Sequence, residues 1–511
     1  MRITNRMMTN NMLYNINGNK NSLAVLEQQY ATGMKIQKPS EDPIVAVRAL
    51  KLRTNLSELT QYHKKNIPDA KAWMDVTESA LVVVDDILTQ VHTYCVQGAT
   101  GTIKEGDRDD IIKTLTQLKN QVYQEGDTNY AGRYVFTGYK TDTSLIFDEA
   151  QEHEKYLITE NFTPASIDTI KKTLNDCDME LYDPDDPASV EFTDKPNMHT
   201  AYRIRLAYDK VESPEEDGSI VIRTAQLDED GEVERDPDTG EIIYEESSEA
   251  IESMLSTDPN AYQVEEGIRY LTDTGELILS PEVYEEWRHL GAIQIDYEKS
   301  EFAKNDLRPE HYFNCTVTDL TDEEKEPVVY TKEDQQIGYE INFKQHLTIN
   351  TQGADAIQHD VGRTIDEMVN AVNEVMAAQA KLDELAQMIN DDNTTPEQKK
   401  KLEEMRELVN TEYVLKTEAL QSAFSNALTK IEKQQDVVNV AVSDLGARYV
   451  RLELTESRLG SEKTDFEELL SSNEDVDMVD TIIKYRSMQA IYNASLSAAS
   501  QSVQTTLLDF L

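Results

Sequence analysis

From Met7 to Asn19, and again from Ser487 to Leu508, this chain carries no charged side chain, although 29% of its 511 residues are charged. A helix lying in solvent ordinarily shows Lys and Glu on its outer face, so two uncharged ends need another explanation. Apolar residues recur in both ends at alternating four- and three-residue spacing. Near the beginning these are Met12, Ile16, Leu23, Leu26 and Tyr30, with Asn19 in the remaining place. Near the end they are Met478, Ile482, Tyr485, Tyr492, Leu496, Ala499, Val503 and Phe510, with Gln489 and Thr506 as polar interruptions. Such spacing forms a coiled-coil seam. The simplest burial of two such seams is against each other, which joins the chain ends and projects the rest outward. The remaining faces are rich in Ser, Gln, Asn, Thr and Ala. If many copies met at a common axis, an acidic residue there would repel its symmetry mates, whereas small polar groups share hydrogen bonds. The pattern therefore predicts a homo-oligomer.

Inside the seams, Gly33 breaks the first helix and Asp42-Pro43 restarts one, since Asp caps a helix and Pro suits its first position. Ala70, Trp73, Thr77, Ala80, Val84, Ile87, Val91 and Tyr94 mark a long bundle helix, and Ile111 to Val122 a shorter one. Between about 150 and 345 the period changes to two: Tyr202, Ile204, Leu206 and Tyr208 alternate with Arg203, Arg205 and Ala207, as on a strand with one face in water. Asp230-Gly231, Asp238-Thr239-Gly240 and Asp273-Thr274-Gly275 are hairpin signals. Helical spacing returns from Val361 to Ile389. After a turn at Asp391 to Thr395, with Thr395 as cap, Pro396 starts another long helix toward Leu459, giving an antiparallel helical pair. The expected fold is mainly α, with long terminal helices forming a coiled coil and helical bundle around an inserted β-rich (α+β) outer domain. Expected divisions are 1–40 (inner helix), 41–148 (first half of the bundle), 149–345 (outer domain), 346–475 (second half with a helical-hairpin extension) and 476–511 (inner helix).

Residues 151–340 hold 50 acidic and 16 basic side chains and so supply 34 of the 48 excess negative charges. Without clustered Lys and Arg, nucleic acid and anionic membrane are excluded as partners. No run of 18 apolar residues exists to span a bilayer, and the polar start Met1-Arg2-Ile3-Thr4-Asn5 does not resemble a cleavable secretory signal. Cys95, Cys177 and Cys315 lack metal or disulfide spacing. The eight histidines form no HExxH motif, and the acidic turn Asp228-Glu229-Asp230-Gly231 fails as a calcium loop because Pro237 would fall on the last ligand position. No cofactor, metal or catalytic residue is expected, and an enzyme in the middle domain is the least favoured reading.

Gly33-Met34-Lys35-Ile36-Gln37-Lys38-Pro39-Ser40-Glu41-Asp42-Pro43 is similar to the Gly-x-Arg-Ile-x-x-Pro-Ser-Asp-Asp-Pro turn of the flagellin family. Asn129 to Gly138 resembles a Gly-Arg-Tyr-x-Phe-Ser/Thr-Gly signature in the family's hook-associated branch. Leu445-Gly446-Ala447-Arg448 and Leu507-Leu508-Asp509-Phe510-Leu511 resemble elements near that branch's C-terminus. The resemblance covers about residues 1–147 and 430–511. It implies a secreted structural protein of the bacterial flagellum, joining hook to filament by axial polymerisation, with a flagellin-type filament subunit as the alternative. It further implies neighbouring hook-associated protein and flagellin as partners, an export chaperone over the C-terminal seam before secretion, and contact with neighbours at the turn bearing Gly33, Pro39, Ser40, Asp42 and Pro43.

Overall fold

The computed structural model describes residues 5–101, 105–179, 182–183, 195–212, 220–227, 233–237, 240–322, 324–391 and 394–508, without the side chains of 5–6, 105 and 501–508. The helices are α1 (Asn5–Thr32), α2 (Pro43–Gln61), α3 (Ile67–Ala99), α4 (Arg108–Gly126), α5 (Pro281–Trp287), α6 (Gly353–Ala356), α7 (Asp360–Asn390), α8 (Pro396–Glu474) and α9 (Met478–Leu508). The strands are β1 (Asn129–Tyr130), β2 (Arg133–Tyr134), β3 (Glu154–Phe162), β4 (Asp168–Leu174), β5 (Asn197–Arg205), β6 (Val221–Ala225), β7 (Tyr244–Glu246), β8 (Ile251–Met254), β9 (Ile268–Leu271), β10 (Glu276–Leu279), β11 (Ile293–Lys299), β12 (Asn314–Asp319), β13 (Val328–Tyr330), β14 (Gly338–Asn342) and β15 (Gln345–Thr348). This is a mainly α chain with long terminal helices and a sheet-rich middle. It divides into two compact units: Met1–Lys71, Tyr339–Leu347 and Val450–Leu511 form one, and Ala72–Gly338 and Thr348–Tyr449 the other.

The terminal unit is helical apart from the β14–β15 hairpin. Asp42 starts α2 as its sequence suggests: its Oδ1 accepts from the backbone N–H of Ile44 (3.0 Å) and Val45 (3.2 Å), with Pro43 in the first turn. That satisfies two of the four N–H groups a helix start leaves orphaned. After α2 the chain makes one π-helical segment, Tyr62–Asn66. The hairpin packs on this segment. Tyr62 meets Phe343 edge-on at 5.6 Å, and Asn66 Nδ2 donates to the Glu340 carbonyl at 2.8 Å. Ala46, Ala49, Leu59, Ile67 and Ala70 form the buried side of the N-terminal arm, and Leu452 and Leu459 that of α8.

In the middle unit, a five-stranded sheet of order β4-β5-β10-β9-β8 and a six-stranded sheet of order β13-β12-β3-β11-β6-β7 enclose an extended apolar cluster. Tyr156, Ile158, Ile204, Leu277, Ile295 and Tyr297 lie at its centre. Neighbouring strands run antiparallel except β8 and β9, which are parallel. Gly275, at φ +63°, makes the turn between β9 and β10, where a Cβ would lie 2.0 Å from the Tyr208 carbonyl oxygen. The Asp230-Gly231 turn and Asp238-Thr239 lie outside the described residues. Thr395 and Gln398 cap α8 reciprocally, Thr395 N–H donating to Gln398 Oε1 and Gln398 N–H to Thr395 Oγ1. The helix then runs to Glu474, one turn after another beyond Leu459. Leu385 of α7 packs on Leu402, Met405 and Val409 of α8, closing the helical hairpin.

One local expectation fails. Arg203 and Arg205, expected on a watered face of β5, are buried. Arg203 donates to Glu276 (2.7 Å) and Glu367 (2.9 Å), and Arg205 to Glu367 (2.8 Å). The alternation was read for a sheet with one solvated face, but α7 covers this one and supplies the counter-charge.

Candidate assembly surface

The geometry of the terminal unit begins with how α1 meets α9. The two run antiparallel: Asn19 Nδ2 donates to Ser495 Oγ at 3.0 Å, and Tyr30 stacks on Tyr485 with ring centres 6.1 Å apart. On α1 the contact line follows the apolar spacing. Met12, Asn19, Leu23 and Leu26 are half-buried, and Ile16 is nearly enclosed. Tyr30 keeps an exposed edge beside its stacking partner.

On α9 the line differs. Tyr485, Tyr492 and Ala499 are half-buried, whereas Ile482 and Leu496 stay 39% and 43% exposed and Met478 is exposed as well. Thr481, Met488 and Ser495 occupy the positions between them. The resulting series 481, 485, 488, 492, 495, 499 keeps an unbroken four-three rhythm, set one residue before Ile482, Gln489 and Leu496. The reason is chemical as well as steric. Asn19, half-buried at the centre of α1, is served by a polar partner, and a hydrogen bond of this kind contributes about 0.5–1.5 kcal/mol. Ser495 provides one and Leu496 would not. Apolarity alone selected Leu496; the missed signal was the Asn on the opposite helix. The Val503 side chain and Phe510 lie outside the described residues.

At the base of this pair the two interhelical links meet. Gly33, at φ +72°, donates to the Gln29 carbonyl and ends α1. Its carbonyl accepts from Val476 N–H (2.9 Å), while Lys35 N–H donates to the Glu474 carbonyl (2.7 Å) and Lys35 Nζ to the Ser472 carbonyl (2.5 Å). Asp477 Oδ1 then accepts from the N–H of Val479 and Asp480, capping α9. The lysine in the turn thus serves the last carbonyls of α8, where a cation also opposes the negative end of the helix dipole. Pro39 and Ser40 remain exposed at the outer bend, and the Glu41 carboxylate holds Gln37 N–H.

Outside the α1–α9 line the unit exposes much apolar surface. Met7, Met8, Leu13, Tyr14 and Val25 are exposed on α1, and Val479, Ile483 and Ile491 on α9. Scattered exposed apolar residues are ordinary, but a series along two helices uncharged over most of their combined length is a surface awaiting cover.

In the middle unit, Asn129 to Gly138 makes the β1–β2 hairpin, with Ala131 and Gly132 both at positive φ. Tyr130 packs edge-on against Trp73, and the Arg133 guanidinium lies 5.0 Å from the Trp73 ring centre. Arg448 Nη1 donates to the Asn350 carbonyl at 2.9 Å and pairs with Asp444. These sequence signatures therefore act as packing elements.

The same unit contains a cleft of about 1250 Å³ beside β4, β5 and α7. Its charged groups engage one another: Lys172 with Glu374, Lys119 with Asp366, and Lys416 with Asp176. Among the described residues no group of three or more His, Cys, Asp or Glu is placed to hold a metal ion. Cys95, Cys177 and Cys315 are buried, with burial pushing their thiols up to about 12, 11 and 12. Thiols held so far from ionisation are poor nucleophiles. Among the described residues no helix is long and apolar enough to cross a membrane.

Residues 3–141 match the family described as bacterial flagellin N-terminal helical region. Flagellar hook-associated protein 3 of Salmonella typhimurium is 29% identical over 151 residues, which are 29% of this chain and 47% of that protein. A flagellin of Clostridium tyrobutyricum is 27% identical over 128 residues, 25% of this chain and 34% of that one. The chain spans about half the length, or less, of the curated relatives it matches. Among solved structures, the flagellar hook-associated protein 3 of Legionella pneumophila aligns over 82% of this chain and 97% of its own at 11% identity, with a TM-score of 0.32.

Proposed function

We propose, from the premise that this chain belongs to the flagellin family through its N-terminal helical region, that it is a structural subunit of the flagellar axis which polymerises at the junction of hook and filament. The observation that carries this reading is the antiparallel α1–α9 pair, uncharged along most of its length and exposing apolar side chains such as Tyr14, Ile483 and Leu496. Burying one such side chain is worth about 1.5–3 kcal/mol, so several per subunit make a shared axis strongly favourable. The likeness to hook-associated protein 3 supports the junction position, with a hook-associated protein on one side and flagellin on the other. On this reading the acidic middle of the chain is a non-enzymatic outer domain. The subunit is secreted, and an export chaperone covers the apolar face of α9 until it leaves the cell.

Immunogold labelling of detached flagella tests the reading. A single band at the hook-filament boundary is the expected result. Label along the whole filament would make the chain a filament subunit instead, a reading favoured by the flagellin matches. Absence of label from flagella would overturn both.

A further inference from the structure

Beyond the β1–β2 hairpin the chain enters a turn whose backbone is pinned on both sides. Lys140 N–H donates to the Thr137 carbonyl at 3.2 Å, and the Lys140 carbonyl accepts from Thr137 Oγ1 (2.9 Å) and Thr143 N–H (3.0 Å). Tyr139 N–H donates to Gln335 Oε1 at 2.7 Å, an atom that a Cβ on Gly138 would approach to 2.2 Å. The turn thereby presents Lys140 to the end of the six-stranded sheet formed by β13, β12 and β3.

There Lys140 lines a cavity of about 230 Å³ built wholly from the middle unit. Side chains alternate along a strand, and the register sets Val317 beside both Tyr156 and Val328, so these three and Tyr330 share the face that floors the cavity. The 3₁₀ turn Pro309–His311 brings Glu310 to the wall, with its side chain only 6% exposed and its Oε1 3.6 Å from Arg308 Nη1. Glu310 Oε2 and Lys140 Nζ are both buried, and among the described residues neither has a hydrogen-bond partner. The Lys140 ammonium lies 3.3 Å from the centre of the Tyr330 ring, a contact that leaves donors of its –NH₃⁺ unused. The neighbouring carboxylates are engaged elsewhere: Glu154 accepts from Tyr156 and Gln151, and Asp319 pairs with Lys325. Burial pulls the Lys140 ammonium below its ordinary value and pushes the Glu310 carboxyl above its own, as expected of charges short of compensation.

We propose that this cavity binds a small zwitterion of the kind of a free amino acid, its carboxylate on Lys140 Nζ and its ammonium on Glu310 Oε2. A buried ammonium and a buried carboxylate oxygen left open in one chamber are complemented by a molecule that carries the opposite pair. An anion or a cation alone would serve one group and leave the other unpaired where water is scarce. The volume is below the roughly 300–1,000 Å³ of pockets for drug-sized ligands, so the occupant is small. Bound there, it ties the turn after β2 to the 3₁₀ turn and to the edge strand β13. The site belongs to the middle unit alone and holds whether the chain sits at the junction or along the filament.

Calorimetric titration of the full chain with glycine and alanine tests this, with acetate, methylammonium and acetamide as partial mimics. Saturable one-to-one binding is expected for glycine or alanine, and binding at least about tenfold weaker for each mimic. Lys140→Met and Glu310→Gln should each weaken binding at least about tenfold, whereas Lys113→Met, on the exposed face of α4, should leave it unchanged. Val328→Phe fills the cavity from its strand edge while keeping both charged groups, and should block binding even if a charge variant fails to fold. Hydrogen exchange of the Val328–Tyr330 amides should slow on binding. No saturable heat with glycine or alanine, acetamide binding as tightly as alanine, full affinity in folded Lys140→Met, Glu310→Gln or Val328→Phe, or unslowed exchange with ligand bound would each overturn the proposal.

Discussion

Replacing Glu367 by Gln should destabilise the middle unit more than any surface substitution on the same helix. The carboxylate of this α7 residue bridges two guanidiniums, accepting from Arg203 Nη2 at 2.9 and 3.0 Å and from Arg205 Nη1 at 2.8 Å. The arginine side chains are 3% and 6% exposed, so water cannot replace the lost counter-charge. Arg203 keeps Glu276, but Arg205 keeps only neutral acceptors, the Arg363 carbonyl and Thr364 Oγ1. Breaking a buried pair by removing one partner costs about 3–5 kcal/mol. Glu374→Gln, which unpairs Lys172 at a site about a third exposed, should cost under about 1 kcal/mol. Burial would raise the Glu367 carboxyl, but Arg203 and Arg205 outweigh it and hold the group well below its ordinary 4.5. A group depressed on folding stabilises fully above its unfolded value. The wild-type advantage over Glu367→Gln should therefore be complete at pH 7 and shrink as pH falls below about 4.5. Urea unfolding of both proteins between pH 7 and pH 3, followed by circular dichroism, measures it. A loss under about 1 kcal/mol at pH 7, or one that grows on acidification, would refute the electrostatic argument.

Leu496→Asp should leave the melting temperature of the monomer within about 2 °C, since the side chain lies outside the α1–α9 line, while abolishing filament attachment. Ser495→Leu should instead weaken the pair itself by about 0.5–1.5 kcal/mol by removing the hydrogen bond to the half-buried Asn19 amide, read as faster proteolysis of both ends. Glu160 is buried with its carboxyl accepting from Ala207 N–H, and desolvation raises it to about 8. Its stabilising protonated form is fully present below about 4.5 and lost as pH rises through about 8, so Glu160→Gln should flatten the stability decline between about pH 4.5 and pH 8 in denaturant titrations. Gly362→Ala would set a Cβ 2.0 Å from Tyr123 Oη, the atom that accepts from Gly362 N–H and donates to the His359 carbonyl, and should lower stability by about 1–3 kcal/mol in the same assay.

The long helices were legible because burial imposes a period, and a period survives in sequence. Trp73, Thr77, Ala80, Val84, Ile87 and Val91 all lie buried along α3 as their spacing indicates. Capping was legible for the same reason of local chemistry: Asp42 and Thr395 act on groups two or three residues away. What could not be read depended on distant partners. Arg203 and Arg205 look solvated until Glu367, more than 150 residues later, is brought to them. The contact line of α9 runs through Ser495, the partner of Asn19 almost the whole chain away. Polar residues inside a seam carry register information that a count of apolar positions discards.

The π-helical turn at Tyr62–Asn66 acts as a rotary spacer. It accommodates one residue more than an α-helical path would, and each residue of an α-helix turns the chain by about 100°. Deleting a single residue there would let α2 and α3 merge into one regular helix, but would swing Ile44, Val47 and Lys51 about a quarter turn relative to buried Ile67 and Ala70. The hairpin residues Phe343 and Glu340, which grip this turn through Tyr62 and Asn66, hold that extra residue in place. The azimuth at which the N-terminal arm presents itself is thus set by a single supernumerary residue and the clamp around it, independently of how tightly any face binds.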